Sequence, residues 1–144
     1  MSNRSPQPSP SISGPRDRPG QAGEAALAAP ALRAFFAIAA RWGLSAAQQR
    51  TLLGGPPSST YFKWKKEQGG NLPRDVLERI SYVLGIYKAL QILFPEAARA
   101  DAWVGRPNTA PLFQGQSALE RMLGGNVSDL FVVRQYLDAQ RGGS

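Results

Sequence analysis

The chain of 144 residues contains no cysteine and no histidine. Without cysteine there is no disulfide framework, nothing points to an oxidising compartment, and no thiolate nucleophile is available. Without histidine the usual general base at neutral pH is missing. With both gone, so are the usual zinc ligands. The hydroxyl side chains therefore lack a recognisable activating base, and we expect no enzyme, no cofactor and no metal site. Acidic residues are scarce, ten against seventeen Lys and Arg. Asp101, Glu120, Asp129 and Asp138 are too scattered to read as a general acid/base pair, and solvated surface is the better reading. Strand signals are absent. The one long apolar stretch, 25–40, is broken by Pro30 and interrupted by Arg33. It begins too late for a simple secretion signal and is too short to span a membrane. The expectation is a soluble, cytoplasmic, all-α protein with no membrane partner and no small-molecule substrate.

What is present is unevenly placed. The net charge is +7, and most of it lies in 30–70, where Arg33, Arg41, Arg50, Lys63, Lys65 and Lys66 face Glu67 alone. In 95–144 five arginines are balanced by five acids. A local basic field attracts phosphate, whether in nucleic acid or at a membrane surface. Residues 1–24 are Pro, Ser, Gly and Arg with little that is apolar, cannot repay the entropy of folding, and are expected to be disordered.

The chain is organised around 72–94, which reads as one long helix. Pro73 suits its first turn, and Asp75 and Glu78 favour its N-terminal end. Val76, Ile80, Val83, Tyr87, Leu90 and Phe94 share one face. Tyr82, Ile86, Ala89 and Leu93 form a second stripe, about 100° around. The back half thus needs two partners. Before it, helices are expected over 30–42, 46–53 and 58–67. Ser45 is a natural N-cap for the second, Ser58 or Ser59 for the third, and Gly54 and Gly55 stop the second. After it, a short amphipathic segment over 96–104 leads into an ordered loop over 105–115 and helices over 116–123 and 128–140. The domains read as a disordered tail 1–29, a helix-turn-helix module 30–71, a shared helix 72–94, and a second helical module 95–144.

Two short helices joined by a glycine-containing turn, the second one basic, match the helix-turn-helix pattern. The N-terminal end of its second helix enters the major groove. Ser58, Ser59 and Thr60 are placed there, with Lys63 one turn on and Lys65 and Lys66 at phosphates. Ser45, Gln48 and Gln49, at the start of the preceding helix, form a second set of candidate contacts, because helix N-termini bind phosphate through free N–H groups. Arg41 and Arg50 extend the footprint. Phe62 and Trp64 are expected to anchor the helix in the core, and Tyr61 is open to either role. The uncharged rear concentrates Trp103, Phe113, Met122, Leu123, Phe131 and Tyr136, types enriched in interface cores and equally in small protein cores.

The series Trp42-Gly43-Leu44-Ser45, Leu52-Leu53-Gly54, Thr60 through Trp64, and Leu72 with Leu77-Glu78-Arg79-Ile80-Ser81 resembles the Xre/MbcA/ParS antitoxins. The likeness continues through Leu84-Gly85-Ile86-Tyr87-Lys88-Ala89-Leu90, Leu93-Phe94-Pro95, Ala102-Trp103-Val104, Pro107-Asn108, Phe113, Gly115, Ser117-Ala118-Leu119, Met122 and Val133-Arg134 to Ala139, covering 30 to the end. The resemblance implies an antitoxin of a type II toxin–antitoxin system. Its front module would bind operator DNA and repress its own operon. Its rear would bind and neutralise a RES-domain toxin that consumes NAD. The candidate toxin contacts are Trp103, Asn108, Phe113, Arg134 and Tyr136, together with Arg141, Gly142 and Gly143, whose place after the last helix suits either a tail threading toward the toxin's cofactor pocket or a frayed terminus. The turn Gly55-Pro56-Pro57-Ser58-Ser59 departs from the family by one extra residue and by lacking arginines at the start of the recognition helix. The alternative reading is a stand-alone helix-turn-helix regulator or partitioning-type protein with no toxin. RNA or membrane-surface binding by the same basic patch ranks below both. Helix-turn-helix proteins read half-sites as pairs, so a homodimer is expected, with the two-sided back half of the central helix as one surface for it.

Overall fold

The computed structural model describes residues 19–142, with side chains from 27 onward. Among these residues it is all-α: α1 Pro19–Arg41, α2 Ala46–Leu52, α3 Ser58–Glu67, α4 Arg74–Leu93, α5 Ala97–Trp103, α6 Ala118–Met122 and α7 Val127–Arg141. Of the tail expected to be disordered (1–24, within a segment 1–29), 1–18 and the roles expected of Gly143 fall outside the described residues, whereas 19–29 is helical.

The first helix begins eleven residues earlier than the periodicity suggests, at Pro19 rather than Pro30. Proline is at home at a helix start, and the alanine-rich run that follows it is strongly helix-forming. Pro30 consequently lies inside the helix, exposed, at a position where a missing N–H costs about 3 kcal/mol. Burial of Ala28, Leu32, Phe35, Ile38 and Ala39 along the same face offsets that cost.

α4 is the spine. It packs on α1 on one side and on α7 on the other, with α5 against its C-terminal half. Val76, Ile80, Val83 and Leu90 from the first stripe, and Ile86 and Ala89 from the second, are all buried. The two buried stripes of its back half are therefore covered by the chain's own α7 and α5. The core runs from Leu32 through α4 to Leu137 as one contiguous cluster. Pro73 stands at the N-cap of α4, one residue outside the helix, and Phe94 ends it in an extended conformation before Pro95.

The rear is tied by polar clasps that apolar periodicity does not show. Asn108 Oδ1 accepts from the Ala110 N–H at 2.9 Å, while its own N–H donates to Gln116 O at 3.0 Å, closing the 105–117 loop. Ser117 and Glu120 form a capping box on α6. Asp129 accepts from the Asn126 N–H at the start of α7 and from Arg121 Nε at 3.2 Å, and Arg121 also donates to Leu112 O. A Cβ on Gly124 would lie 2.5 Å from Asp129 Oδ2, so this turn needs glycine. Front and rear meet at Asp101 on α5, which accepts from Arg41 of α1 and Gln91 of α4, each at 3.2 Å.

Candidate functional site

The turn 53–57 between α2 and α3 is held from two directions. Arg50 donates from Nε and Nη2 to Pro56 O at 3.2 and 3.0 Å, so this cation serves the turn as well as the surface charge. On the other side, Gly54 takes φ +97°, and a Cβ there would meet Arg79 Nε at 3.0 Å and Asp75 Oδ2 at 3.2 Å. Those two α4 residues are paired with each other at 3.0 Å, with Arg79 largely buried. The spine helix thus sets where the turn lies.

Inside, α2 and α3 are braced by a buried strut. Tyr61, fully buried, donates its hydroxyl to Gln49 Oε1 at 2.6 Å, and Gln49 Nε2 donates to Leu44 O at 2.9 Å. Gln49 is 6% exposed and both ends of its amide are engaged, so it is a brace between helices and not the surface contact expected of it. The reason is its register: it falls on the face that α2 turns toward α3, and a buried amide there must be satisfied within the protein. Ser45 and Gln48 close a capping box on α2, Ser45 Oγ accepting from the Gln48 N–H and Gln48 Oε1 from the Ser45 N–H.

α3 turns Tyr61 and Trp64 inward and leaves Ser58, Ser59, Phe62, Lys63, Lys65 and Lys66 exposed, with Thr60 half-buried. Its N-cap is Pro57, which has no side-chain bond to offer, so neither serine caps the helix from outside it. Both lie in its first turn, where N–H groups point outward and anions are favoured. Phe62 corrects a second expectation. It is 53% exposed, in edge contact with Tyr61, and lies amid the basic face instead of the core. Tyr61 and Trp64 already fill the inward positions, and helical spacing leaves Phe62 and Lys63 between them outside.

In the rear, Trp103, Phe113 and Tyr136 converge. Phe113 is buried and meets both rings edge-on, at 5.9 and 5.2 Å. It is the floor of the cluster and not the contact surface expected of it, because the 105–117 loop folds it under its two neighbours. Trp103 and Tyr136 stack above it at 6.5 Å, half-buried. They border a cleft of about 210 Å³ completed by Leu93, Phe94, Leu137 and Gln140, with the Arg99 guanidinium 5.4 Å from the Phe94 ring centre. The extra lining residues were hidden by the α4–α7 crossing, which no local spacing reveals. Asn108 is half-buried and engaged in its loop. Arg134 is not part of this cleft. It crosses α4 at Gly85, where a Cβ would lie 2.5 Å from its guanidinium, reaches Ser81 O at 3.5 Å, and pairs with Asp138 at 3.5 Å. Arg141 meets the same Asp138 at 3.8 Å, and Gly142 caps α7.

Among the described residues no cluster of His, Cys, Asp and Glu could hold a metal ion, and no helix is long and apolar enough to cross a membrane. The arrangement defines a helix-turn-helix protein with a second helical module mounted on the same spine.

Comparison with known families agrees at both ends. Residues 21–85 match the antitoxin Xre-like helix-turn-helix domain, and residues 89–143 match the antitoxin Xre/MbcA/ParS C-terminal toxin-binding domain. The chain belongs to the Xre-type antitoxins and carries their DNA-binding and toxin-binding domains in that order. The two matches meet within α4. A curated relative, the uncharacterized protein y4oB of Sinorhizobium fredii, is 60% identical over 112 residues, which cover 78% of this chain and 84% of the relative.

Proposed function

We propose that this antitoxin neutralises a RES-domain, NAD-consuming toxin and represses its own operon as a cytoplasmic homodimer, without catalysing a reaction itself. The observation that carries the reading is a division of surfaces. The exposed lysines of α3 and the aromatic cleft bordered by Trp103 and Tyr136 share no residue. One protein can therefore hold a duplex and a second protein at once. Ser58, Ser59, Phe62 and Lys63 supply base-edge contacts in this reading, and Lys65 and Lys66 supply phosphate contacts. Trp103 and Tyr136 are the anchors for the toxin, since large rings in a partly desolvated setting dominate interface energetics. In this reading Arg141, Gly142 and Gly143 contact the toxin near its NAD pocket.

The test is co-expression with a neighbouring RES-type protein. The expected result is copurification, suppression of NAD loss in cells, and retardation of the operon's own promoter fragment by the complex. Retention of promoter binding with no capture of the toxin would favour a stand-alone regulator.

A further inference from the structure

Among the described residues, one face of α4 is left open between α1 and α7. Leu77, Ser81, Leu84 and Lys88 recur at spacings of four and three and form the floor of an open groove of about 640 Å³. Leu27, Pro30 and Ala31 of α1 wall one side, and Arg134 of α7 lies along the other. Leu27 is 61% exposed, the most exposed large apolar side chain among the described residues. The floor runs roughly 16 Å at 1.5 Å per residue. Near its middle Ser81 and Ala31 are small, while the Arg134 guanidinium lies across Gly85.

We propose that a second copy of this chain occupies the groove, with the two α4 helices antiparallel across a two-fold axis level with Ser81 and Leu84. The charges select this occupant. Glu78 stands at one end of the floor and Lys88 at the other, both exposed. Among the described residues Lys88 has no carboxylate within ion-pair distance, and Glu78 accepts a hydrogen bond from Tyr82. A complementary surface must carry the two charges in reverse order along the same apolar stripe. The same helix running the other way does so, and a two-fold axis makes the Glu78–Lys88 pairing twice. None of the α3 lysines lines the groove, so pairing here leaves the basic faces open to DNA. This rests on the homodimer reading above and names its surface.

Sedimentation equilibrium of the full-length protein and its variants tests it, with circular dichroism melts to show that each variant folds. Wild type is expected to be dimeric at micromolar concentration. Ser81→Arg, an exposed position beside Arg134, adds a second cation and a bulky side chain from each copy near the axis and should give a monomer. Lys88→Glu faces Glu78 of the other copy and should weaken the dimer roughly tenfold. Adding Glu78→Lys to Lys88→Glu should restore it. Residues 78 and 88 are about 15 Å apart along one helix, so rescue can only arise between copies. A dimer that Ser81→Arg and Lys88→Glu leave unchanged overturns this surface and leaves the homodimer reading standing. A wild-type monomer overturns both. A monomer that dimerises only when residues 1–18 are removed assigns the groove to that segment. Loss of toxin capture by Ser81→Arg with the dimer intact assigns it to the toxin. Either result overturns the proposal.

Discussion

Changing Tyr61 to Phe removes a single oxygen, and the structure makes that oxygen expensive to lose. The hydroxyl is fully buried and lies 2.6 Å from Gln49 Oε1, which is itself shut off from solvent. Phe keeps the ring packing, so there is almost no cavity cost. What remains is a buried carbonyl oxygen without its donor, a penalty of about 1–3 kcal/mol. For a domain of this size each kcal/mol lowers the midpoint by roughly 4 °C, so Tyr61→Phe should melt about 4–12 °C below wild type. Gln49→Met breaks the same bond from the other side and also strips the donor from Leu44 O. The double variant should cost less than the two single changes together by about 1 kcal/mol or more, because the shared bond can be broken only once. Urea titration of the four proteins measures this, and an unchanged slope would show that the unfolded state is not responsible. A Tyr61→Phe cost below about 0.5 kcal/mol, or a strictly additive cycle, would refute the claim that this strut braces the two helices.

Lys65→Gln with Lys66→Gln should weaken binding to all duplexes and reduce the salt slope by about one for each phosphate no longer neutralised, whereas Phe62→Ala should keep stability within about 0.5 kcal/mol and change sequence preference instead. Competition gel shifts at several salt concentrations separate these outcomes. Trp103→Ala or Tyr136→Ala should weaken toxin binding by about 2 kcal/mol or more, while Phe113→Ala should cost about 3–5 kcal/mol of fold stability; calorimetry of toxin binding and of unfolding distinguishes surface from floor. Gly54→Ala forces an alanine into a left-handed conformation against Arg79 and should destabilise by about 1–2 kcal/mol. Gly85→Ala should be tolerated, because a gain in helix propensity of about 0.5–1 kcal/mol meets only the movable end of Arg134. Deleting residues 140–144 should lower inhibition of the toxin without changing operator affinity; unchanged inhibition would remove the tail from the toxin interface.

The secondary structure was largely legible because helical periodicity, caps and breakers are local. The two stripes on α4 announced two packing partners, Ser45 announced its helix start, and the charge step at about residue 70 separated a basic front from a neutral rear. The order of the family's motifs pointed to an antitoxin before any contact was known. Tertiary structure decided which member of each local pair faces inward. Gln49 read as a contact from its place near a helix start and Phe62 as core from its apolar ring, and the packing of α2 against α3 exchanged their roles. Phe113 went beneath Trp103 and Tyr136 because of a loop closed by Asn108, and Arg134 left the rear cluster because it lies across Gly85, forty-nine positions away along the chain. Residue spacing along one helix sets which side chains share a face. Only the crossing of that helix with another settles whether the face meets protein, solvent or a partner.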